Sequence, residues 1–388
     1  MLVWAGRALV ALVSAAVLAT IGFGWYTYRT AEGDVVRDDV ITAADPADPP
    51  SARDLPRTEQ TILLVGLDSR SDTQGNPLPQ DVLDELRAGE ASGEQNTDTM
   101  MVVHLPADPE KKAFAVSLPR DSYVDIAGGF GTHKLNSAYA RGKNAAASRL
   151  RGEGADDAAV ERESTTEGRR TLIATVSALT GLRIDHYAEI NLFGFSEITK
   201  AVGGVPVCLN EPVDDSYSGA VFPAGQQTLQ GVDALKFVRQ RHGLQNGDLD
   251  RVRRQQAFLA GVANQLFSSG TLTSPTRISA LVDALTKSVV LDKNWDLMSF
   301  AAQVSTLTGD HIEFSTIPTG SIDLQTPSDG SAVEVDPEQV RAYVRTVLTG
   351  PPPSSQTSPA GTGEVVVRKL AQESPDQPIT AGGIPCVN

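Results

Sequence analysis

The chain has 388 residues, 40% hydrophobic and only 5% aromatic, with a formal net charge of -15. Such acidity argues against a nucleic-acid binder, whose phosphate contacts need a basic surface. The length allows one large domain or two small ones, and the chain contains no P-loop, no G-x-S-x-G and no H-E-x-x-H.

Residues 8–28 carry no charge and are bounded by Arg7 and Arg29. Their length is near the roughly 20 residues that span a bilayer. Trp25, Tyr26 and Tyr28 stand where an interfacial aromatic belt would lie. A cleaved signal peptide would have a shorter apolar region, so residues 1–30 are expected to be a single-pass membrane anchor. The short stretch before the apolar run favours placing the large domain outside the cytoplasm. Residues 31–58 are polar and proline-containing and read as an extracytoplasmic linker. The run 61–67 reads as a buried strand ending at Asp68, Ser69 and Arg70. Residues 72–95 form a long polar loop with a weakly helical centre, of the kind that often covers a site. Asn96, Thr97, Asp98 and Thr99 lead into a second strand over 100–105. A third strand over 113–118 ends at Pro119, Arg120 and Asp121.

These three strands carry a geometric expectation. If the second and third form a hairpin, the start of one lies beside the end of the other. Asp98 and Arg120 then share a sheet edge. If the first strand is antiparallel to the second, Asp68 joins them. Two carboxylates and a guanidinium at one edge suit a metal ion and an anion, since Mg²⁺ takes one or two carboxylates plus phosphate oxygens.

A helix is expected to begin at 133–139, and the Ala/Gly-rich stretch 147–168 reads as a surface insertion or an irregular helix start. A helix over 171–179 closes at Gly181. A strand at 186–190, a helix at 192–202 and a strand at 205–209 follow. Next comes a basic knot in the acidic chain. Ala234, Leu235 and Val238 make an apolar helical stripe ending at Arg239 and Arg241. After a Gly/Asn/Asp turn, Asp248 or Asp250 can cap a second helix. There Arg251, Arg254 and Gln255 stand at i, i+3 and i+4, on one face. Several planar guanidinium forks aimed at one place match a pyrophosphate. Helices near 278–288 and 295–307, a strand at 312–317 and a helix at 337–348 complete an α/β layered sandwich with a mixed central sheet flanked by helices. Residues 349–363 read as a disordered linker before a tail at 364–388, with an edge strand near 364–370. The two cysteines, Cys208 and Cys386, lack metal-ligand spacing; outside the cytoplasm they can pair with each other, and otherwise they are separate thiols. His133, His186, His242 and His311 are scattered and read as structural or surface residues.

The ordered blocks Leu64-Val-Gly-Leu-Asp68-Ser-Arg70, Thr97-Asp98-Thr-Met-Met101, Ser117-Leu-Pro-Arg120-Asp121, Lys134-Leu-Asn136-Ser-Ala-Tyr139, Val202-Gly-Gly-Val205 and 234–255 resemble those of the LytR-CpsA-Psr (LCP) proteins of bacterial cell envelopes. The similarity covers roughly 61–348, within an expected catalytic domain at 59–348. It implies an enzyme that transfers phosphorylated glycans from polyprenyl-pyrophosphate carriers to peptidoglycan, at the cytoplasmic membrane and with Mg²⁺ as cofactor. Carried over by residue, Asp68 and Asp98 are the expected acidic and metal positions. Arg120, Arg239 and Arg241 are the expected pyrophosphate-binding and catalytic arginines. Arg251, Gln255 and Arg254 are further head-group candidates, and Lys134 and Tyr139 are expected in the pocket wall. Many members carry an arginine where this chain has Asn96, so Arg70 or a loop residue is the candidate replacement. Asp68 and Asp98 are both candidates for the general base. The resemblance also implies an apolar tunnel for the lipid, which periodicity alone does not reveal. Two other readings of the same residues are a lipid-pyrophosphate pyrophosphatase and a non-enzymatic membrane regulator of transcription. The second is disfavoured by the acidity and the lack of a helix-turn-helix signal.

Overall fold

The computed structural model describes residues 35–41, 59–71, 77–85, 96–108, 110–216, 218–240, 243–244, 247–268, 284, 289–296, 300, 303, 311–349 and 378–388. The expected anchor, the expected disordered linker and the expected strand near 364–370 lie outside them, as do nearly all of the expected helices at 278–288 and 295–307. No helix among the described residues is long and apolar enough to cross a membrane.

Eight strands form the central sheet: β1 (Val36–Asp38), β2 (Gln60–Asp68), β3 (Asn96–Leu105), β4 (Ala113–Ser117), β5 (His186–Asn191), β6 (Val289–Asp292), β7 (Ile312–Thr316) and β8 (Ile379–Thr380). Their order across the sheet is β1-β6-β5-β2-β3-β4-β7-β8. Pairs β1/β6, β5/β2 and β4/β7 are parallel and the others antiparallel, so the expected mixed sheet is present. Both faces are covered, which is why β2 and β3 read as nearly unbroken apolar runs. Successive side chains still alternate between faces. Leu63, Val65, Met100 and Val102 pack into one core with α2 (Ala138–Gly152) and α3 (Asp157–Thr180). Met101 and Ala115 pack into another with α5 (Gly231–Arg239) and α6 (Asp248–Ser268). Leu64 and Val103 lie against it. The remaining described helices are α1 (Gln80–Glu85), α4 (Leu192–Ala201) and α7 (Pro337–Thr349).

Two expectations are corrected here. The stretch 147–168 is no insertion: it runs from the end of α2 into α3, a helical hairpin covering the sheet. Asp156 caps α3 by accepting a 2.8 Å hydrogen bond from the Ala159 amide, and Gly181 ends it in the left-handed region at φ 74°. The start of the helix expected over 133–139 is also delayed, because Gly131–Lys134 forms a strand and Leu135–Ser137 a 3-10 turn. Second, part of the expected linker belongs to the sheet. β1 is its edge strand, and Val40 is buried. Arg169 on α3 secures it, bonding Asp38 Oδ2 at 2.6 Å through Nη1 and the two oxygens of Glu189 on β5 at 2.8 and 2.9 Å.

The described end of the tail, residues 378–388, is likewise integrated. β8 extends the central sheet, and Cys386–Val387 lies parallel to Val205–Leu209 in a three-stranded sheet completed by Gly225–Leu229. Cys208 and Cys386 face each other in that register and form a disulfide.

Candidate active site

The two carboxylates meet through a register irregularity. β2 and β3 pair in strict antiparallel order up to Gly66 opposite Thr99, and then Leu67 pairs with Thr97. Asp98 is the extra residue of a β-bulge. A bulge re-aims a side chain that simple alternation would send to the other face. Without it, Asp98 would share the face of Met100. With it, Asp98 lines the same cavity as Asp68 at the end of β2. Gly66 makes room for this: a Cβ there would lie 3.0 Å from the Thr99 Cβ.

Arg120 follows β4 and forms an ion pair with Asp98, with Asp121 3.8 Å away on its other side. Across the cavity, Arg239 ends α5, and Arg251 and Gln255 project from α6. The cavity has a volume of about 400 Å³. Its head contains Asp68, Asp98, Arg239, Arg251 and Gln255, and its body is lined by Leu64, Met101, Phe195, Val238, Phe258 and other apolar residues. It runs beneath β2, β5 and β6 to Val35, beside edge strand β1. At about 4.8 Å per strand this is a span of roughly 14 Å. The site is thus a charged head on an apolar cavity within the sheet–helix sandwich.

Four of the charged groups here are shifted from their ordinary values. Burial, and then the neighbouring Asp98, push the Asp68 carboxyl above its ordinary range, against the pull of Arg239, Arg70 and Arg120. Burial works against the Arg120 charge, but Asp98 and Asp121 outweigh it and raise its pKa. Burial lowers that of Arg251, although Asp248 opposes the shift. Burial raises Asp248, against the pull of Arg251. Arg251 and Asp248 are in ion-pair contact, yet their angles do not make a hydrogen bond. Asp68 Oδ1, Arg120 Nε, Arg251 Nε and Nη2, and both Asp248 oxygens are buried without a hydrogen-bond partner among the described residues. Buried polar groups without hydrogen bonds are unfavourable, so the convergence of these donors suits a polyanion, and Asp68 Oδ1 suits a cation. No group of three or more His, Cys, Asp or Glu residues able to hold a metal occurs among the described residues. Two carboxylates with phosphate oxygens as further ligands suit Mg²⁺ rather than a fully protein-bound metal.

Asp68, Asp98, Arg120, Arg239, Arg251 and Gln255 are therefore brought together as expected. Arg70 lies close enough to Asp68 to pull its pKa down, and Asn96 pairs directly with Asp68 across the strands. Arg241 lies outside the described residues. Lys134 is not in the cavity wall; it stands 3.5 Å from Asp121, behind Arg120. That corrects Lys134, and two more positions need correction. Tyr139 is buried in the core on the opposite face of the sheet, where burial raises its phenol pKa. Arg254 does not line the cavity: 1% exposed, it donates from Nε to the Asn388 main-chain oxygen at 2.5 Å and from Nη1 to Gln240 Oε1, and stacks 5.2 Å from the Phe237 ring centroid. Residues 251 and 254 are about 60° apart around a helix of 3.6 residues per turn. That is enough to send one to the cavity and the other to the tail. Sequence reading missed the parts of Asp121 and Asp248. The signal for Asp248 was its place three residues before Arg251, read only as capping.

The chain belongs to the LytR_cpsA_psr family, whose model matches residues 31–343. It is 45% identical over 343 residues to the cell wall biosynthesis protein LcpA of Corynebacterium glutamicum, covering 88% of this chain and 65% of LcpA. It is 38% identical to the probable cell wall biosynthesis protein LcpB of the same organism, over 57% of this chain and 45% of LcpB. The chain thus spans less than two thirds of either relative. It is 29% identical to the polyisoprenyl-teichoic acid–peptidoglycan teichoic acid transferase TagU of Halalkalibacterium halodurans, covering 73% of this chain and 79% of TagU. Two crystal structures share its fold. B. subtilis TagV aligns with a TM-score of 0.53 at 22% identity, over 76% of this chain and 98% of TagV. The LytR-Csp2A-Psr enzyme of Actinomyces oris aligns with a TM-score of 0.54 at 18% identity, over 81% of this chain and 95% of that enzyme.

Proposed function

We propose that this protein is a phosphotransferase that moves a phosphorylated glycopolymer from a polyprenyl-pyrophosphate carrier to peptidoglycan, outside a membrane to which residues 1–30 anchor it. The observation that carries this reading is the joining of an apolar cavity to a head of paired aspartates and arginines. Such a space has the polarity profile of a lipid diphosphate. The names of the relatives, cell wall biosynthesis proteins and a teichoic acid–peptidoglycan transferase, support the same class.

Arg120, Arg239 and Arg251 would bind the diphosphate, and Gln255 would orient it. Asp68 and Asp98 would hold Mg²⁺, which when bound supplies positive charge to the phosphate oxygens. A sugar hydroxyl of peptidoglycan attacks the phosphorus that carries the glycan. The P–O bond to the lipid phosphate breaks, polyprenyl phosphate leaves, and an aspartate accepts the hydroxyl proton. Fixed guanidinium groups stabilise the growing negative charge without having to reorganise.

The test is transfer from a lipid-pyrophosphate glycan to peptidoglycan oligomers by the full chain. Arg239→Ala and Asp98→Ala should fold and lose roughly 10²–10³-fold in rate, and chelation of Mg²⁺ should abolish transfer. Glu161→Ala, which removes an exposed ion pair with Lys143 on the far helical hairpin, should be as active as wild type. Equal activity in all three variants would overturn the assignment, and release of free glycan phosphate without transfer would mark a pyrophosphatase instead.

A further inference from the structure

Arg254 is nearly as buried as any residue in the core and bears a charge, yet it faces neither the cavity nor solvent. Burial lowers its pKa to about 10. Asp250 and Asp215 lie near enough to oppose that shift, and three further contacts explain its position. The Asn388 main-chain oxygen accepts from Nε, the Gln240 side chain accepts from Nη1, and the Phe237 ring lies beneath the guanidinium. Phe237 and Gln240 both belong to the last turn of α5, the turn that carries Arg239. Gln240 is 4% exposed and marks the point where the helix stops, with its backbone turning to ψ 135°. A second tie joins the same turn to α6, from Gln255 Nε2 to the Val238 carbonyl at 3.5 Å. Asn388 is itself held in place. Val387 lies beside Leu209, its carbonyl accepts from the Asn210 amide at 2.9 Å, and Cys386 is bonded to Cys208.

We infer that Arg254 is a positioning residue: seated on the 386–388 segment, it fixes where α5 ends and so where Arg239 stands in the cavity head. The inference rests on the diphosphate reading of that head. It reassigns an arginine whose spacing alone suggests a phosphate ligand. Arginine suits the task because its planar fork can satisfy a main-chain oxygen and an amide oxygen at once while its face lies on an aromatic ring. Lysine supplies the charge without the fork.

The test uses the full chain with Mg²⁺ and farnesyl pyrophosphate as the probe. Arg254→Lys and Gln240→Leu should each weaken binding by about tenfold, the scale of one hydrogen bond to a charged group. Gln240 lies outside the cavity wall, so its effect must be indirect. In a double-mutant cycle, Arg254→Lys should add little to the loss caused by Arg239→Ala, because both act through the same guanidinium. Additive losses, the signature of a direct phosphate contact, would overturn the inference. Hydrogen exchange without ligand provides the independent arm. In both variants, amides of 236–240 should exchange faster while those of β2 and β3 stay unchanged. Unchanged exchange at 236–240 would also overturn the inference. Failure of wild type to bind the probe, or indifference to Arg239→Ala, would sink the diphosphate reading instead and leave the exchange arm to decide the role of Arg254.

Discussion

Glu189 shows how one residue can be buried and charged at once. It is 5% exposed and accepts from Arg169 Nε and Nη2 and from the Tyr187 hydroxyl at 2.7 Å. Burial alone would push its carboxyl up, but the Arg169 guanidinium outweighs burial and holds it below the ordinary range. Such a carboxyl contributes stability above its unfolded value of 4.5 and loses it as pH falls towards the folded value. Glu189→Gln should therefore destabilise the protein at pH 7 by roughly 3 kcal/mol, since it leaves the buried Arg169 guanidinium with Asp38 as its remaining carboxylate partner. It should also lose less stability than wild type between pH 5 and roughly pH 3. Urea unfolding at both ends of that range measures this, and parallel pH curves would contradict it. At this scale the cavity head was largely legible. Asp68, Asp98, Arg120, Arg239 and Arg251 stand at or near strand or helix ends that pairing rules bring together, and Gln255 follows Arg251 by one helical turn. Arg254 and Tyr139 were not, because helical spacing gives a face only to within about 60° and because a tyrosine in a motif looks the same in a core as in a pocket.

The element that matters most to the site is the bulged end of the β2/β3 pair. Period-two alternation predicts the two strands and their shared edge but places Asp98 on the wrong face. An inserted residue leaves no mark on an apolar pattern only a few residues long. β1 escaped for a related reason, since three residues, Val36–Asp38, are too few to show a period. Gly66→Ala tests the bulge. The new methyl would press on Thr99, whose Cβ lies 3.0 Å away and whose backbone forms the bulge. Overpacking of this kind costs about 1–3 kcal/mol. Farnesyl pyrophosphate binding with Mg²⁺ should weaken more than binding without it, because the displaced group is Asp98. Calorimetry with and without the metal decides, and equal weakening would mean the methyl disturbs only general packing.

At the scale of the whole molecule, one sheet is covered on both faces, and only one face encloses the cavity. The α/β class and mixed sheet could be read from the alternation of elements. The cavity could not, because Leu64, Met101, Phe195 and Phe258 carry the same apolar signal whether they touch each other or a guest. The Cys208–Cys386 bridge closes a separation of 178 residues. Long loops lose the most unfolded-state freedom when closed, and removing a native bridge typically costs about 2–5 kcal/mol. Cys208→Ser should accordingly lower Tm by roughly 5–10 °C. Thermal unfolding with and without reductant checks this: reductant should bring wild type down to the variant and leave the variant unmoved.

The strand pairings also set an order of completion. Val36 lies beside Val290, and the main-chain oxygen that seats Arg254 arrives 134 residues after it. Chains emerge from the ribosome amino end first. Arg254, Gln240 and the turn between them are thus synthesised long before their backbone partner exists. The guanidinium cluster is finished only when residue 388 has docked, so a nascent or clipped chain would expose the arginines without yet holding them in register for a diphosphate.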